Sequence, residues 1–215
     1  INSAYYGLPN EIFSISQAIS LLGRQQIKQI LMGSVLSGVF TEINSVNFSM
    51  RDFWQHSIKT AIIARHLAMQ NAQIIDHEAF FTAGLLHDIG RLVLAKEVPD
   101  LLPEIDELVE INGLNIIQAE EEKLGVTHID VGEALMRKWG IPSLITQCVV
   151  KHHEIDHVGP FAVDTSMVYL ANNLSKLDLL EDEDEMQKTI ITIANWQQTG
   201  CTLEQIDIAC RLADE

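Results

Sequence analysis

Helix start and stop signals recur along the sequence and constrain its fold more than any other feature. Ser49 and Asp76 precede apolar-periodic segments as helix caps, and Thr127 with Asp130 forms a capping box. Gly140 follows that segment as the residue type with which many helices end. Strict alternation of apolar and polar residues, the pattern of half-buried strands, is scarce. The sequence therefore predicts an all-α fold.

The same signals divide the chain into predicted helices. A first helix, capped by Ser14 or Ser16, ends near Gly23. The next predicted helices span residues 24–40, 50–70, 78–89, 99–111, 115–124 and 128–139. Two more follow: one starts at Pro142, and the other is capped by Asp164 or Thr165 and runs to Leu180. After an acidic run over residues 181–185, two short helices are expected, one on each side of Gly200.

Composition limits the classes of protein to which the chain can belong. With 215 residues and 47% apolar content, it can bury a sizeable core without crosslinks. Its three cysteines form no C-x-x-C pair, which argues against a disulfide framework or a zinc ribbon. Fourteen basic and thirty acidic residues give a net charge of −16, which opposes binding to nucleic acid. The apolar runs are short and interrupted, so we expect no transmembrane helix and no membrane partner.

Five histidines and one aspartate fall at predicted helix ends or on apolar faces. They are His56, His87, Asp88, His128, His152 and His153. A lone histidine in such a place is more often a hydrogen-bonded core group than a ligand, but the group as a whole favours a metal site. Imidazole combined with carboxylate suits first-row transition metals better than calcium or magnesium. The sequence therefore predicts a site for a divalent transition metal, such as iron, manganese or zinc.

Asp88 leaves a second interpretation open. A buried, unpaired carboxylate costs several kcal/mol, so Asp88 requires either a metal or a cationic partner. Arg91 lies three residues later and can pair with it on the helix surface.

These residues resemble the motif set of the HD-domain metalloproteins, in the order His56, HDIG at 87–90, His128 and HHE at 152–154. Within that superfamily, the opening stretch INSAYYGLPNEIFSISQAISLLG is similar to the HDOD family, and the similarity extends to about Leu177. The resemblance implies an HD-like helical bundle over residues 1–180, a helical extension over 181–215 and further helices upstream of Ile1. It also implies a bacterial, cytoplasmic signalling context with protein partners, and loss of catalysis in many members.

The similar HD-GYP family binds two metals, and its ligand pattern can be carried over residue by residue. One metal position corresponds to His56, His87 and Asp88, and the second to Asp88 as a bridge with His128, His152 and His153.

Two positions depart from that pattern. The aspartate that completes the first metal position in the family corresponds here to Asn172, a neutral amide. The lysine that commonly follows HDIG is Arg91, and the resemblance makes Asp88 and Arg91 the candidate catalytic residues. No GYP signature follows His153, so the sequence does not support specificity for cyclic dinucleotides.

Metal-assisted hydrolysis is the enzymatic chemistry that remains, because the chain has no Gly-rich phosphate loop and no G-x-S-x-G elbow. A helix N-terminus at His128 would favour an anionic substrate. We expect an HDOD signalling domain with weak or absent phosphohydrolase activity, whose partners are signalling proteins and a phosphoester or nucleotide. The alternatives are a competent metal-dependent phosphohydrolase and a metal-free interaction scaffold.

Overall fold

The computed structural model describes Ser14, Ser16 and residues 48–155, 158–177, 183–194 and 196–214. These residues contain helices, turns and loops and no strand, so the predicted all-α fold is confirmed for them. The helices predicted to end near Gly23 and to span residues 24–40 lie outside the described residues. The helices are α1 (Met50–Gln70), α2 (His77–Leu86), α3 (Ile89–Glu97), α4 (Leu102–Glu110), α5 (Ile116–Leu124), α6 (His128–Trp139), α7 (Ser143–Lys151), α8 (Ala162–Leu174), α9 (Glu183–Thr192) and α10 (Leu203–Leu212), with 3-10 turns at Pro99–Leu101 and Trp196–Thr199.

The 21-residue helix α1 is the central element of the bundle. It packs most extensively against α2 and also contacts α8 and α10. Its buried face carries Ile63 and Leu67, which join Phe80 of α2 and Leu170 of α8 in one apolar cluster. Full burial of each such side chain contributes about 1.5–3 kcal/mol to folding. The core therefore fixes α1, α2 and α8 relative to one another.

Two glycines in the segment GLLHDIG allow helix backbones to approach each other closely. A Cβ atom on Gly84 would lie 2.6 Å from the Cα atom of Ala61, so α2 and α1 meet backbone to backbone there. A Cβ atom on Gly90 would overlap the carbonyl oxygen of His128 at the start of α6. These contacts bring the residues between the two glycines, His87 and Asp88, up against α1 and α6.

Most predicted helix caps are confirmed. Ser49 accepts a hydrogen bond from the backbone N–H of Asp52, and Asp76 accepts one from that of Ala79. Complete capping boxes are present at Asn115, Thr127 and Thr202.

Three predicted helix boundaries were wrong. The helix expected over 78–89 ends at Leu86, and a new helix begins at Ile89, because the chain turns at Asp88 where Gly90 meets α6. Pro142 precedes α7 as its cap instead of being its first helical residue. Helix α8 begins at Ala162 rather than after Asp164 or Thr165, because Thr165 lies inside the helix and its hydroxyl donates to the carbonyl of Phe161. The helix ends at Leu174 instead of Leu180.

The C-terminal helices share the core of the preceding bundle. Met186 and Ile190 of α9 and Ile206 and Cys210 of α10 belong to the same buried cluster as α1 and α8. The division into residues 1–180 and 181–215 stays a prediction. Within the described part of the chain, no helix is both long enough and apolar enough to cross a membrane.

Candidate metal centre

Asp88 lies at the junction of α2 and α3, and its side chain is almost completely buried. One carboxylate oxygen, Oδ2, lies 3.5 Å from Nε2 of His87 and 3.8 Å from Nε2 of His56. The other, Oδ1, lies 3.3 Å from Nε2 of His152 and 3.4 Å from Nε2 of His128. The carboxylate therefore faces a different pair of imidazoles with each of its oxygens.

The predicted ligands are drawn from distant parts of the chain into two groups that share Asp88. In each group, the donor atoms all lie within 4.8 Å of one another. One group is His56, His87 and Asp88; the other is Asp88, His128, His152 and His153. Nitrogen and oxygen donors bind transition metals at about 2.0–2.2 Å and so lie within about 4.4 Å of each other. The spacing in both groups is close to this limit, so either group could hold a metal ion.

Two of the imidazoles are anchored by the ends of their own helices. Nδ1 of His87 donates a hydrogen bond to the carbonyl of Gly84 at 2.7 Å, and Nδ1 of His152 donates to the carbonyl of Val149 at 2.6 Å. Each histidine is the C-cap that directly follows its helix, where the terminal carbonyls lack intrahelical partners. The proton is therefore on Nδ1, and the Nε2 lone pair points toward Asp88.

A buried carboxylate anchors His128. Glu120 of α5 accepts hydrogen bonds from the His128 backbone N–H at 2.8 Å and from its Nδ1 at 2.7 Å. Carboxylate–histidine pairs of this kind orient the metal ligands of many proteins and make the imidazole a stronger donor. The anion expected at the N-terminus of α6 is therefore Glu120 itself, because it occupies the N–H that a substrate anion would need.

His56 is anchored by a chain of hydroxyl groups. Ser175 Oγ donates to the carbonyl of Asn172 at 3.0 Å and accepts from the Thr60 hydroxyl at 2.9 Å. Ser175 Oγ also lies 3.1 Å from Nδ1 of His56. The hydroxyl chain therefore holds Nδ1 of His56 and fixes the orientation of its ring toward Asp88.

The anchored imidazoles direct lone pairs at one another. Nε2 of His56 lies 3.1 Å from Nε2 of His87, and Nε2 of His128 lies 3.4 Å from Nε2 of His152. In the neutral tautomers that carry the proton on Nδ1, neither nitrogen of such a pair has a proton to donate to the other. Converging lone pairs repel unless a cation lies between them. The donor set therefore fits a transition metal.

The protonation states agree with this geometry. Burial lowers the pKa of His56 to about 4, of His87 to about 3 and of His153 to about 2, and it also lowers the pKa of His152. Burial alone would raise the pKa of Asp88, but the surrounding histidines and Arg91 hold it well below its usual value. Neutral imidazoles and an ionised carboxylate are the forms in which these groups bind a metal.

Asn172 on α8 is buried beside His56. Its Oδ1 atom has no hydrogen-bond partner among the described residues. A buried carbonyl oxygen without a partner costs about 1–3 kcal/mol, and an amide oxygen can also coordinate a metal. Asn172 thus stands where the resemblance places it, with an oxygen that has a lone pair to offer and no charge.

Arg91 forms the alternative pair that the sequence suggested. Its Nη1 atom lies 3.3 Å from Asp88 Oδ2, so the ion pair coexists with the histidine cluster instead of replacing it. Its side chain is 40% exposed, so the guanidinium also reaches solvent at the mouth of the site. A cavity of about 430 Å³ opens there, lined by Phe48, Ser49, Asp52, Phe53, His56, Asp88 and Arg91.

Sequence reasoning missed the residues that anchor the ligands. Glu120 had a usable signal, because it shares the apolar face of its helix with Ile116 and Ala119, where a charged residue is unexpected. Thr60 and Ser175 had none, since they are 115 positions apart and their contact depends on the packing of α8 against α1.

Comparisons with known proteins agree with this fold. The HDOD domain family matches residues 1–155. Among solved structures, a Shewanella amazonensis protein named "Putative phosphohydrolase" superposes with a TM-score of 0.68 at 22% identity, over 94% of this chain and 73% of that one. The MmoQ response regulator of Methylococcus capsulatus gives a TM-score of 0.68 at 20% identity, over 96% and 78%.

An HDOD domain protein with unknown function from Geobacter sulfurreducens gives a TM-score of 0.63 at 22% identity, over 99% of this chain and 74% of that one. An uncharacterized protein of Treponema pallidum is 22% identical over 157 residues, which are 73% of this chain but 30% of that protein. The structural likenesses show the fold alone. Because the family match covers well over half of its 215 residues, the chain belongs to the HDOD family.

Proposed function

We propose that this chain is a cytoplasmic bacterial signalling domain that binds a divalent transition metal at Asp88 and hydrolyses phosphoesters slowly or not at all. The observation that carries the proposal is the convergence of Nε2 atoms on Asp88, with the Nδ1 atoms of His56, His87 and His152 held by neighbouring groups. Such preorganisation is expected of metal ligands and is unnecessary for packing. The relation to HDOD proteins and the fold shared with a response regulator support a signalling role.

One ion per chain is the expected stoichiometry. The group of Asp88, His128, His152 and His153 supplies one carboxylate and three imidazoles. The group of His56 and His87 has only the shared Asp88 as an anion, because Asn172 is neutral. A second dication close to the first would lack a counter-charge, so the first group should fill alone.

The residues at the mouth would determine how a phosphoester binds. When bound, the metal would supply an acidified water and polarise a phosphoryl oxygen. Arg91 is partly exposed and already directed at Asp88, so its guanidinium can donate hydrogen bonds to the phosphoryl oxygens of a ligand in the adjoining cavity. Asp88 would orient the ligand set with its two oxygens, and the buried imidazoles would keep competing water out of the centre.

Elemental analysis of protein purified without chelator tests the proposal. We expect about one iron, manganese or zinc ion per chain, and near-complete loss of it in His128→Ala and His153→Ala. His66→Ala is the matched control, because His66 lies on α1 outside both ligand groups. Metal content below about a tenth per chain after growth with supplied iron, manganese and zinc would overturn the proposal in favour of a metal-free scaffold.

A competent phosphohydrolase is the second candidate. It is favoured by two cavities, of about 430 and 230 Å³, that are both lined by Asp88 and Arg91. Turnover of about 1–1,000 per second that requires the metal would support this candidate over the slow or silent domain.

A further inference from the structure

A second cavity, of about 230 Å³, adjoins the metal centre and has walls of opposite charge. Its inner wall carries the metal-site residues Asp88, His128 and His153 together with two cations, Arg91 and Lys176. Its outer wall carries Asp106, Val109, Glu110 and Ile116 of α4 and α5. The cavity therefore has a cationic end next to the centre and an acidic, partly apolar end away from it.

Lys176 lies one helical turn beyond Asn172, just after the end of α8. Its side chain is accessible to solvent, yet the surrounding protein desolvates the ammonium and lowers its pKa, an effect that Asp88 opposes and Arg91 reinforces. The ammonium also interacts electrostatically with His56 and His153, one from each ligand group. Lys176 therefore lines the same cavity as Asp88, His128 and His153.

This local charge contrasts with that of the whole chain, which is −16. Arg91 and Lys176 bring two positive charges to the mouth of a centre that holds one carboxylate, Asp88. An arginine fork and a lysine point charge together are a common way to hold a phosphoryl group. The inner end of the cavity should therefore attract a phosphate.

The outer wall restricts what that phosphate can be attached to. Glu110 would repel a second phosphate at the far end, and such like-charge contacts reject wrong ligands. Its carboxylate can accept hydrogen bonds from hydroxyl or amino groups, while Val109 and Ile116 offer apolar contact. A ligand with one phosphate and a donor-bearing organic part matches this wall.

We propose that the cavity binds a phosphomonoester whose phosphoryl group lies between Arg91 and Lys176 and whose hydroxyl or amino groups face Glu110. The inference rests on the proposed function, since it assigns a substrate class to the same centre. Lys176 is the specificity residue that it adds.

Calorimetric titration of the protein, as purified and after metal removal, tests this proposal. The probes are guanosine monophosphate, glucose 6-phosphate, guanosine diphosphate and inorganic phosphate. The two monophosphates should bind more tightly than the diphosphate, and comparison between them tells whether a nucleoside or a sugar is preferred. Lys176→Gln should weaken monophosphate binding about tenfold, as expected for the loss of a charge-assisted contact, with the metal content unchanged.

Two further variants make the test specific. Lys138→Gln removes an exposed lysine from the far end of α6 and should leave every affinity unchanged. Glu110→Gln should strengthen binding of the diphosphate more than that of the monophosphates, because it removes repulsion from the outer wall.

The outcomes separate this inference from the proposed function. An absence of metal overturns the proposed function, while the effect of Lys176→Gln on phosphate binding by the metal-free protein still decides the inference. Three results would each overturn the inference. They are an unchanged monophosphate affinity in Lys176→Gln, diphosphate binding as tight as monophosphate binding, and no binding of any of the phosphate probes by the protein with or without metal.

Discussion

At the scale of single residues, the two oxygens of Asp88 face opposite pairs of imidazoles, at 3.3 and 3.4 Å on one side and 3.5 and 3.8 Å on the other. Only a carboxylate can present an anionic acceptor in both directions from one short side chain. Arg91 shares Oδ2 from the solvent side. Asp88 therefore links the two ligand groups, and each group depends on the residues that complete it.

The Asn172→Asp substitution should strengthen the weaker ligand group. It places an anion where Oδ1 now has no partner among the described residues, beside His56. We expect the metal content to rise from about one toward two per chain. Asn173→Asp is the control, because Asn173 is half-buried and its amide donates to the carbonyl of Tyr169 instead. Unchanged metal content, with a lower melting temperature from the buried charge, would contradict the prediction.

Glu120 provides a second prediction at this scale. In Glu120→Gln, the acceptor of two hydrogen bonds from His128 loses its charge, so the imidazole becomes a weaker and less firmly oriented donor. We expect metal affinity to fall about 10- to 100-fold, the usual cost of losing such a partner. A competitive chelator titration measures it. Glu121→Gln, an exposed neighbour on the same helix, should have no effect, and equal affinities for the two variants would refute a positioning role.

At the scale of helices, the approach of α3 to α6 positions Asp88 opposite His128. Gly90 makes this approach, since a Cβ atom there would overlap the backbone carbonyl of His128. Gly132 lies at the same crossing, but its Cβ would meet only a methyl group of Val149, at 3.2 Å. A backbone obstacle cannot move aside as a side chain can, so the two glycines differ in how much substitution they tolerate.

Gly90→Ala should therefore reduce the free energy of unfolding and the metal content together. The overlap costs about 1–3 kcal/mol, against a gain in helix propensity of up to about 1 kcal/mol. Gly132→Ala has the same propensity gain and should keep its metal. Thermal unfolding and elemental analysis of both variants check the difference. A fully metallated Gly90→Ala protein would show that the crossing does not position the site.

The helices also show which structural features local sequence can predict. Capping residues such as Ser49, Asp76 and Thr127 act within four residues, so the boundaries they mark were predicted. The break at Asp88 depends on Gly90 meeting a helix nearly forty residues later, and no local pattern contains that contact. The candidate ligands were predicted from residue type and motif order, whereas anchors such as Ser175 depend on tertiary packing.

At the scale of the whole molecule, the ligand set is the point at which α1, α2, α3, α6 and α7 meet, with Asn172 and Lys176 contributed from α8 and its end. The two cations at the mouth and the single complete ligand group favour binding of a phosphoester over its rapid cleavage. A two-metal clamp on the attacking and leaving oxygens would need the group that contains His56 to be filled as well.

Hydrolysis of bis(p-nitrophenyl) phosphate by the metal-loaded protein should therefore be slow, below about 1 per second. Asn172→Asp should raise the rate if it raises the metal content. The release of p-nitrophenol measures both, with His153→Ala as the metal-deficient control. Faster, metal-dependent turnover by the unmodified protein would instead support a competent phosphohydrolase.

Metal binding should also stabilise the fold as a whole, because its ligands come from helices that contact one another only in the folded chain. Without the metal, converging lone pairs 3.1 and 3.4 Å apart repel one another, and a bound ion removes that repulsion only in the native state. A metal at 100 times its Kd stabilises by about 2.7 kcal/mol. For a chain of this size, that corresponds to roughly 5–10 °C in melting temperature. Calorimetry before and after chelation should show this decrease, and re-addition of manganese should reverse it. In His128→Ala, the melting temperature should not change when chelator is added. If the melting temperature of the unmodified protein also did not change, the histidine cluster would pack the core without binding metal.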